Sequence, residues 1–100
     1  MRRFRVAETS MHPTLAPGDV LLTVPDDRPG ADSIVVFRHP DGRDMWLVKR
    51  VTASADGEAW VESDNPRVTM ADSRTFGWVP TAEMHRAVLR WRRPLGIRRV

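Results

Sequence analysis

The chain contains no cysteine, which removes disulfides, thiolate metal sites and thiol nucleophiles together and fits a reducing compartment. Long apolar runs are missing too: none exceeds the four residues of Ile34 to Phe37 or Met45 to Val48. A membrane span needs about 20 such residues and a secretory leader about 7–15. Neither a transmembrane helix nor a signal peptide is therefore expected, and the expected location is cytoplasmic. Repeats, low-complexity tracts and Gly/Ser linkers are absent as well. What is present, 100 residues of which 41% are hydrophobic and 29% charged, has the balance of one globular domain spanning residues 1–100. Its core must hold it together without cross-links.

Acid is missing from one stretch. Residues 86–100 carry six arginines and no Asp or Glu, whereas residues 6–85 carry seven basic and thirteen acidic side chains. Such a basic end suits phosphates or an anionic surface, but a solvated strand face is the plainer reading, and no nucleic-acid partner is expected. Lysine is scarcer still. Of sixteen basic residues fifteen are arginine and one, Lys49, is not. Arg stays charged at any accessible pH, whereas a desolvated Lys amine loses its proton and becomes a base. The exception either marks a site that needs an amine or is chance retention at a surface.

Eight prolines and six glycines punctuate short β-prone segments. Strands are expected at Phe4 to Ala7, Asp19 to Val24, Ile34 to Arg38, Met45 to Ala53 and Ala59 to Ser63, with a hairpin turn at Ala55-Asp56-Gly57-Glu58. Ala87 to Trp91 fits a strand as well as a helical stripe; the strand is preferred, after a turn at Thr81 to Met84, with Pro94 closing it.

The period of two within Met45 to Ala53 places Met45, Leu47, Lys49, Val51 and Ala53 on one face. Burial among apolar neighbours disfavours the ammonium form and would make Lys49 a general base; the competing reading is a lysine that snorkels its amine to the sheet rim. A base needs a nucleophile. Ser10 stands in Glu8-Thr9-Ser10-Met11-His12-Pro13-Thr14-Leu15, where Pro13 and then Pro17-Gly18 constrain the chain. A serine at such a bend either projects its hydroxyl into a cleft, its own N–H aimed at a developing oxyanion, or merely caps a turn. His12, His39 and His85 are too scattered for a metal site, and a triad through His12 explains less than Lys49 does.

Taken in order, Ser10-Met11-His12-Pro13-Thr14-Leu15, Gly18-Asp19, Lys49-Arg50, Asp64-Asn65 and Asp72-Ser73-Arg74-Thr75-Phe76-Gly77, followed by Val79-Pro80, resemble the boxes of type I signal peptidases. The resemblance covers about residues 5–90. It implies a mainly β fold, a signal peptidase-like antiparallel catalytic domain with little helix. It also implies a serine endopeptidase with a Ser/Lys dyad and no cofactor or metal, in which Ser10 is the nucleophile and Lys49 its general base. Asp72 and Arg74 resemble the pair that braces the family's active-site loop; a simple surface pair is the alternative.

Three departures bear on the remaining roles. Ser63 stands where the family box usually opens with Gly, and Asp64 to Asp72 holds one residue more than the commonest spacing. Thr69 is then the expected hydroxyl orienting the lysine. Glu8 occupies the position where some members place an oxyanion-donating serine; an ionised carboxylate cannot donate, so the Ser10 backbone N–H is the expected donor.

Nine residues precede Ser10, too few for an anchor or for the upstream parts of a self-cleaving repressor, and this points to a soluble branch. Size and motif style are most similar to the nickel-type superoxide dismutase maturation peptidases, which remove an N-terminal propeptide. The implied partner is a precursor protein carrying such a propeptide. Two alternatives stand beside this: a signal peptidase catalytic domain without its anchor, and a non-catalytic binding module with a basic tail.

Overall fold

Ile34, Val35, Val36 and Phe37 are all buried in the computed structural model of the chain, which describes residues 1–68 and 71–100. A strand turns successive side chains to opposite faces, so four consecutive buried residues require cover on both. Val35 and Phe37 join one apolar cluster with Leu47, Val51, Val61 and Met84. Ile34 and Val36 join a second with Val6, Met11, Leu15 and Leu21.

Among the described residues the elements are β1 (Arg2–Arg5), β2 (Val20–Pro25), β3 (Ile34–Arg38), β4 (Trp46–Ala55), β5 (Glu58–Glu62), α1 (Ser73–Phe76), β6 (Val79–Pro80), β7 (His85–Arg92) and β8 (Gly96–Arg99). The strands form one sheet in the order β1-β2-β7-β3-β4-β5-β6, with β8 paired to β7. Every pairing is antiparallel. The fold is mainly β, and among the described residues helix is confined to the four residues of α1. No helix among the described residues is long and apolar enough to cross a membrane.

The expected strands are present with shifted ends. β1 lies earlier than Phe4 to Ala7, because Arg2 to Arg5 pair with Thr23 to Val20, while Val6 continues only through single bonds to Asp19 and Gly18. The β4–β5 turn takes positive φ at both Asp56 and Gly57, the backbone that matches strand twist in a two-residue hairpin. Three elements lie outside the sequence reading: the two-residue β6, β8 and α1. β7 ends at Arg92, before Pro94 as expected, but the chain then reverses and β8 pairs back onto β7, Arg92 with Gly96 and Leu89 with Arg99. Arginines dominate β8, so no apolar alternation announces it. The single turn α1 is made by its ends, since the Asp72 side chain accepts from the Arg74 N–H and Gly77 N–H returns to Ser73 C=O at φ 79°.

Two of the six arginines after residue 85 are tied to acids of the body. Arg92 holds Asp19 through two bonds of 2.8 Å, and Arg86 holds Asp26 at 2.9 Å. Both ties join β7 to the ends of β2.

Candidate active site

Lys49 sits in β4 opposite Val35 of β3, and it is 3% exposed. Leu47 and Val51 on either side of it along the face are buried, as the alternation predicts. Met45 and Ala53 do not share that environment. Met45 precedes β4 and is exposed, and a register shift between Val51 and Ala53 turns the strand so that Ala53 is exposed.

Burial pushes the Lys49 amine below the ordinary lysine value, and the nearby Arg74 adds to this, while the negative charges of Asp72 and Glu8 restore part of it. Its Nζ donates to Ser63 Oγ at 3.1 Å. The lysine does not snorkel outward; it points at a hydroxyl that sequence reasoning treated as a departure from a glycine. Thr69, expected in that orienting role, lies outside the described residues.

Ser63 reaches the lysine because of the same bulge that displaces Ala53. Near the turn, Ala55 pairs with Glu58 and Ala53 with Trp60, but beyond the shift Val51 pairs with Val61 and Arg50 with Glu62. A regular ladder would set Asp64 opposite Lys49. The extra residue in β4 brings Ser63 there instead, and cross-strand partners share a face.

Asp72, fully buried, fixes Ser63 from behind. Its carboxylate accepts from Ser63 N–H at 3.1 Å, from Arg74 N–H at 3.0 Å and from Arg74 Nη2 at 2.7 Å. Burial works against the Asp72 charge, but the bonds from Arg74 and from the two N–H groups outweigh it and hold the carboxyl below its ordinary range. Asp72 and Arg74 are therefore not a loose surface pair. They cap α1 and anchor the end of β5.

Ser10 is 8% exposed in the loop between β1 and β2. Met11 and Leu15 pin that loop into the second apolar cluster. Its other attachments come from distant sequence: Asn65 N–H donates to Ser10 C=O and Asn65 Nδ2 to Thr9 C=O, each at 2.9 Å. Thr14 Oγ1 donates to Asp64 at 2.7 Å, and Arg50 Nε and Nη2 grip the same carboxylate at 2.8 Å each. Burial again opposes the charge on Asp64, and the bonds from Arg50 and Thr14 prevail, lowering its carboxyl. Asp64-Asn65 thus welds the Ser10 loop to the residue that follows Lys49.

Ser10, Lys49 and Glu8 line one cavity of about 230 Å³, walled by Phe4, Val36 and Trp46. Among the described residues no hydrogen bond joins Ser10 Oγ to Lys49 Nζ, and no protein acceptor takes the Ser10 N–H. Glu8 is exposed and reaches Lys49 through its charge. His12 is exposed and makes no side-chain hydrogen bond among the described residues, so nothing assembles a histidine triad around Ser10. No group of three or more His, Cys, Asp or Glu side chains among them is arranged to hold a metal ion.

The described polar connections were only partly readable beforehand. Arg50, Asp64 and Asn65 stood inside recognised boxes without an assigned role, and Thr14 likewise. A carboxylate following a β-hairpin strand gives no local sign of which arginine will take it.

The sequence profile of the family described as signal peptidase, peptidase S26, matches residues 1–57, which include the Ser10 loop and Lys49-Arg50. Among curated proteins none matches the chain. A match over more than half the chain leads to one conclusion: the chain belongs to the signal peptidase S26 family, a family of serine peptidases.

Proposed function

We propose that the chain is an endopeptidase that cleaves an N-terminal propeptide or leader from a precursor protein, with Ser10 as nucleophile and Lys49 as general base. One observation carries this reading: a serine and the chain's one lysine, far apart in sequence, line the same cavity, and the lysine is buried and oriented by Ser63. A neutral amine has two N–H bonds and one lone pair. Donating one N–H to Ser63 fixes the rotation of the amine and leaves the lone pair to accept the Ser10 hydroxyl proton.

In the reaction, Ser10 Oγ attacks the scissile carbonyl carbon as its proton passes to Lys49 Nζ. The free Ser10 N–H then meets the oxyanion of the tetrahedral intermediate. Collapse breaks the C–N bond, and the Lys49 ammonium returns the proton to the leaving amine. A water, deprotonated by the same amine, hydrolyses the acyl-enzyme and regenerates Ser10. Closing the Ser10–Lys49 gap to hydrogen-bond length falls to the substrate-bound state, in which such contacts tighten.

The precursor of a nickel-type superoxide dismutase is the proposed substrate, on the resemblance in size and motif style. Incubating that precursor with wild type, Ser10→Ala and Lys49→Arg, and following the shortened product by mass spectrometry, tests both parts. Each variant is expected to lose cleavage by about 10³-fold or more; Lys49→Arg keeps the charge and loses the base. Full activity in either variant overturns the dyad. Cleavage of a secretory leader peptide but not of the dismutase precursor would move the substrate assignment to leader peptides.

A further inference from the structure

A second cavity, of about 420 Å³, lies where β7 changes partner. β2 runs along one edge of β7. The other edge is taken by β3 at His85 and Arg86, and then by β8 from Leu89 to Arg92. The gap between those two partners is a notch lined by five arginines, Arg50, Arg86, Arg90, Arg98 and Arg99, against the single acidic side chain of Asp32.

Arg50 and Arg86 are committed to Asp64 and Asp26. The other three are not. Arg98 and Arg99 make no side-chain hydrogen bond or ion pair among the described residues, and Arg90 Nε is buried with no hydrogen-bond partner. Asp19, whose carboxyl feels the Arg90 charge, is already doubly bonded by Arg92. Arg90 and Arg98 are moreover register partners across β7 and β8, and like charges directly opposite each other in a sheet are unfavourable. The like-charge pair is a standing cost that an incoming anion relieves.

Guanidinium forks match carboxylates in a bidentate fashion. The notch is also lined by Thr14 and Leu15, from the loop that carries Ser10, and by Arg50, which follows Lys49. On the peptidase reading, the occupant whose carboxylates match these guanidinium groups is an acidic stretch of polypeptide.

We propose that the notch binds the carboxylates of an acidic segment of the polypeptide substrate, away from the scissile bond. This rests on the peptidase reading above, and the test separates the two. The binding of a fluorescent hexaglutamate peptide to the Ser10→Ala protein, followed by anisotropy, reads the notch without turnover. Arg98→Gln is expected to raise the Kd about tenfold, and Arg90→Gln combined with it to raise the Kd further, with a hexalysine peptide left unbound. Arg98 is exposed near the end of β8, so its replacement spares the core; thermal melting checks the double variant.

Equal affinity in the Ser10→Ala protein with and without Arg98→Gln overturns the proposal. So does displacement of the peptide by inorganic phosphate, or by a single-stranded oligonucleotide, at lower concentration than by unlabelled hexaglutamate. If the dyad reading alone fails, Ser10→Ala cleaves like wild type while arginine-dependent peptide binding persists. If the notch alone fails, Ser10→Ala is inactive and peptide binding ignores the arginines.

Discussion

At the scale of single residues, Lys49, the proposed general base, carries a cost to the fold. Its folded pKa lies below the ordinary 10.5 because burial disfavours the ammonium. Between the lowered folded value and 10.5 the unfolded chain binds more protons than the native one, so this group's penalty is full below the folded value and fades as pH rises toward 10.5. Lys49→Met is accordingly expected to abolish cleavage yet raise the melting temperature at neutral pH, with an advantage that shrinks in alkali. In the wild type, kcat/KM should climb with pH through the depressed lysine value. Melts and rate profiles across that range check both, and a rate indifferent to pH would return Lys49 to an ordinary ammonium. The lysine was legible from its solitude among fifteen arginines and from its apolar face. Ser63 was not, because regular pairing from the Asp56-Gly57 turn puts Asp64 opposite Lys49, and the bulge in β4 that corrects the register leaves no mark in residue type.

At the scale of elements, the β4–β5 hairpin and the β1–β2 loop are joined mainly through Asp64-Asn65. Asp64→Ala removes the acceptor of Thr14 and of both Arg50 bonds, and leaving those donors unmatched is expected to cost about 1–3 kcal/mol. The Ser10 loop should loosen before the sheet does, so cleavage is expected to fall more steeply than stability. Denaturant titration beside precursor cleavage measures the two effects separately; equal, negligible losses would show the tie to be ornamental. Strands whose apolar positions alternate, or are buried on both sides, announced themselves, and so did the Asp56-Gly57 turn. β8 and α1 did not: one carries two arginines in four residues and borrows its order from β7, and the other is one turn held by the Asp72 cap rather than by an apolar stripe. Met45 and Ala53 read as core by strict alternation and are exposed for the reasons of strand end and bulge.

At the scale of the molecule, an acidic body and basic ends meet as specific clamps rather than as a diffuse dipole. Asp19, 1% exposed, is held by Arg92 so that its carboxyl falls below the ordinary 3.8, the Arg92 bonds outweighing burial. A depressed carboxyl stabilises the fold above its unfolded value and releases that contribution as pH falls from 3.8 through the folded value. Asp19→Asn should therefore cost about 1.5–3 kcal/mol at neutral pH and blunt the loss of stability on acidification, as thermal melts from about pH 5 to about pH 2 will show. An unaltered acid profile would place the sensitivity at Asp64 and Asp72 instead. The clamp of Asn65 on Thr9 and Ser10 acts across time as well as space. Ser10 leaves the ribosome long before Asn65, and before Ser63 and Asp72, which seat the lysine. On the proposed function, a growing chain therefore holds its Ser10 hydroxyl before Ser63, Asn65 and Asp72 exist to position the serine and the lysine.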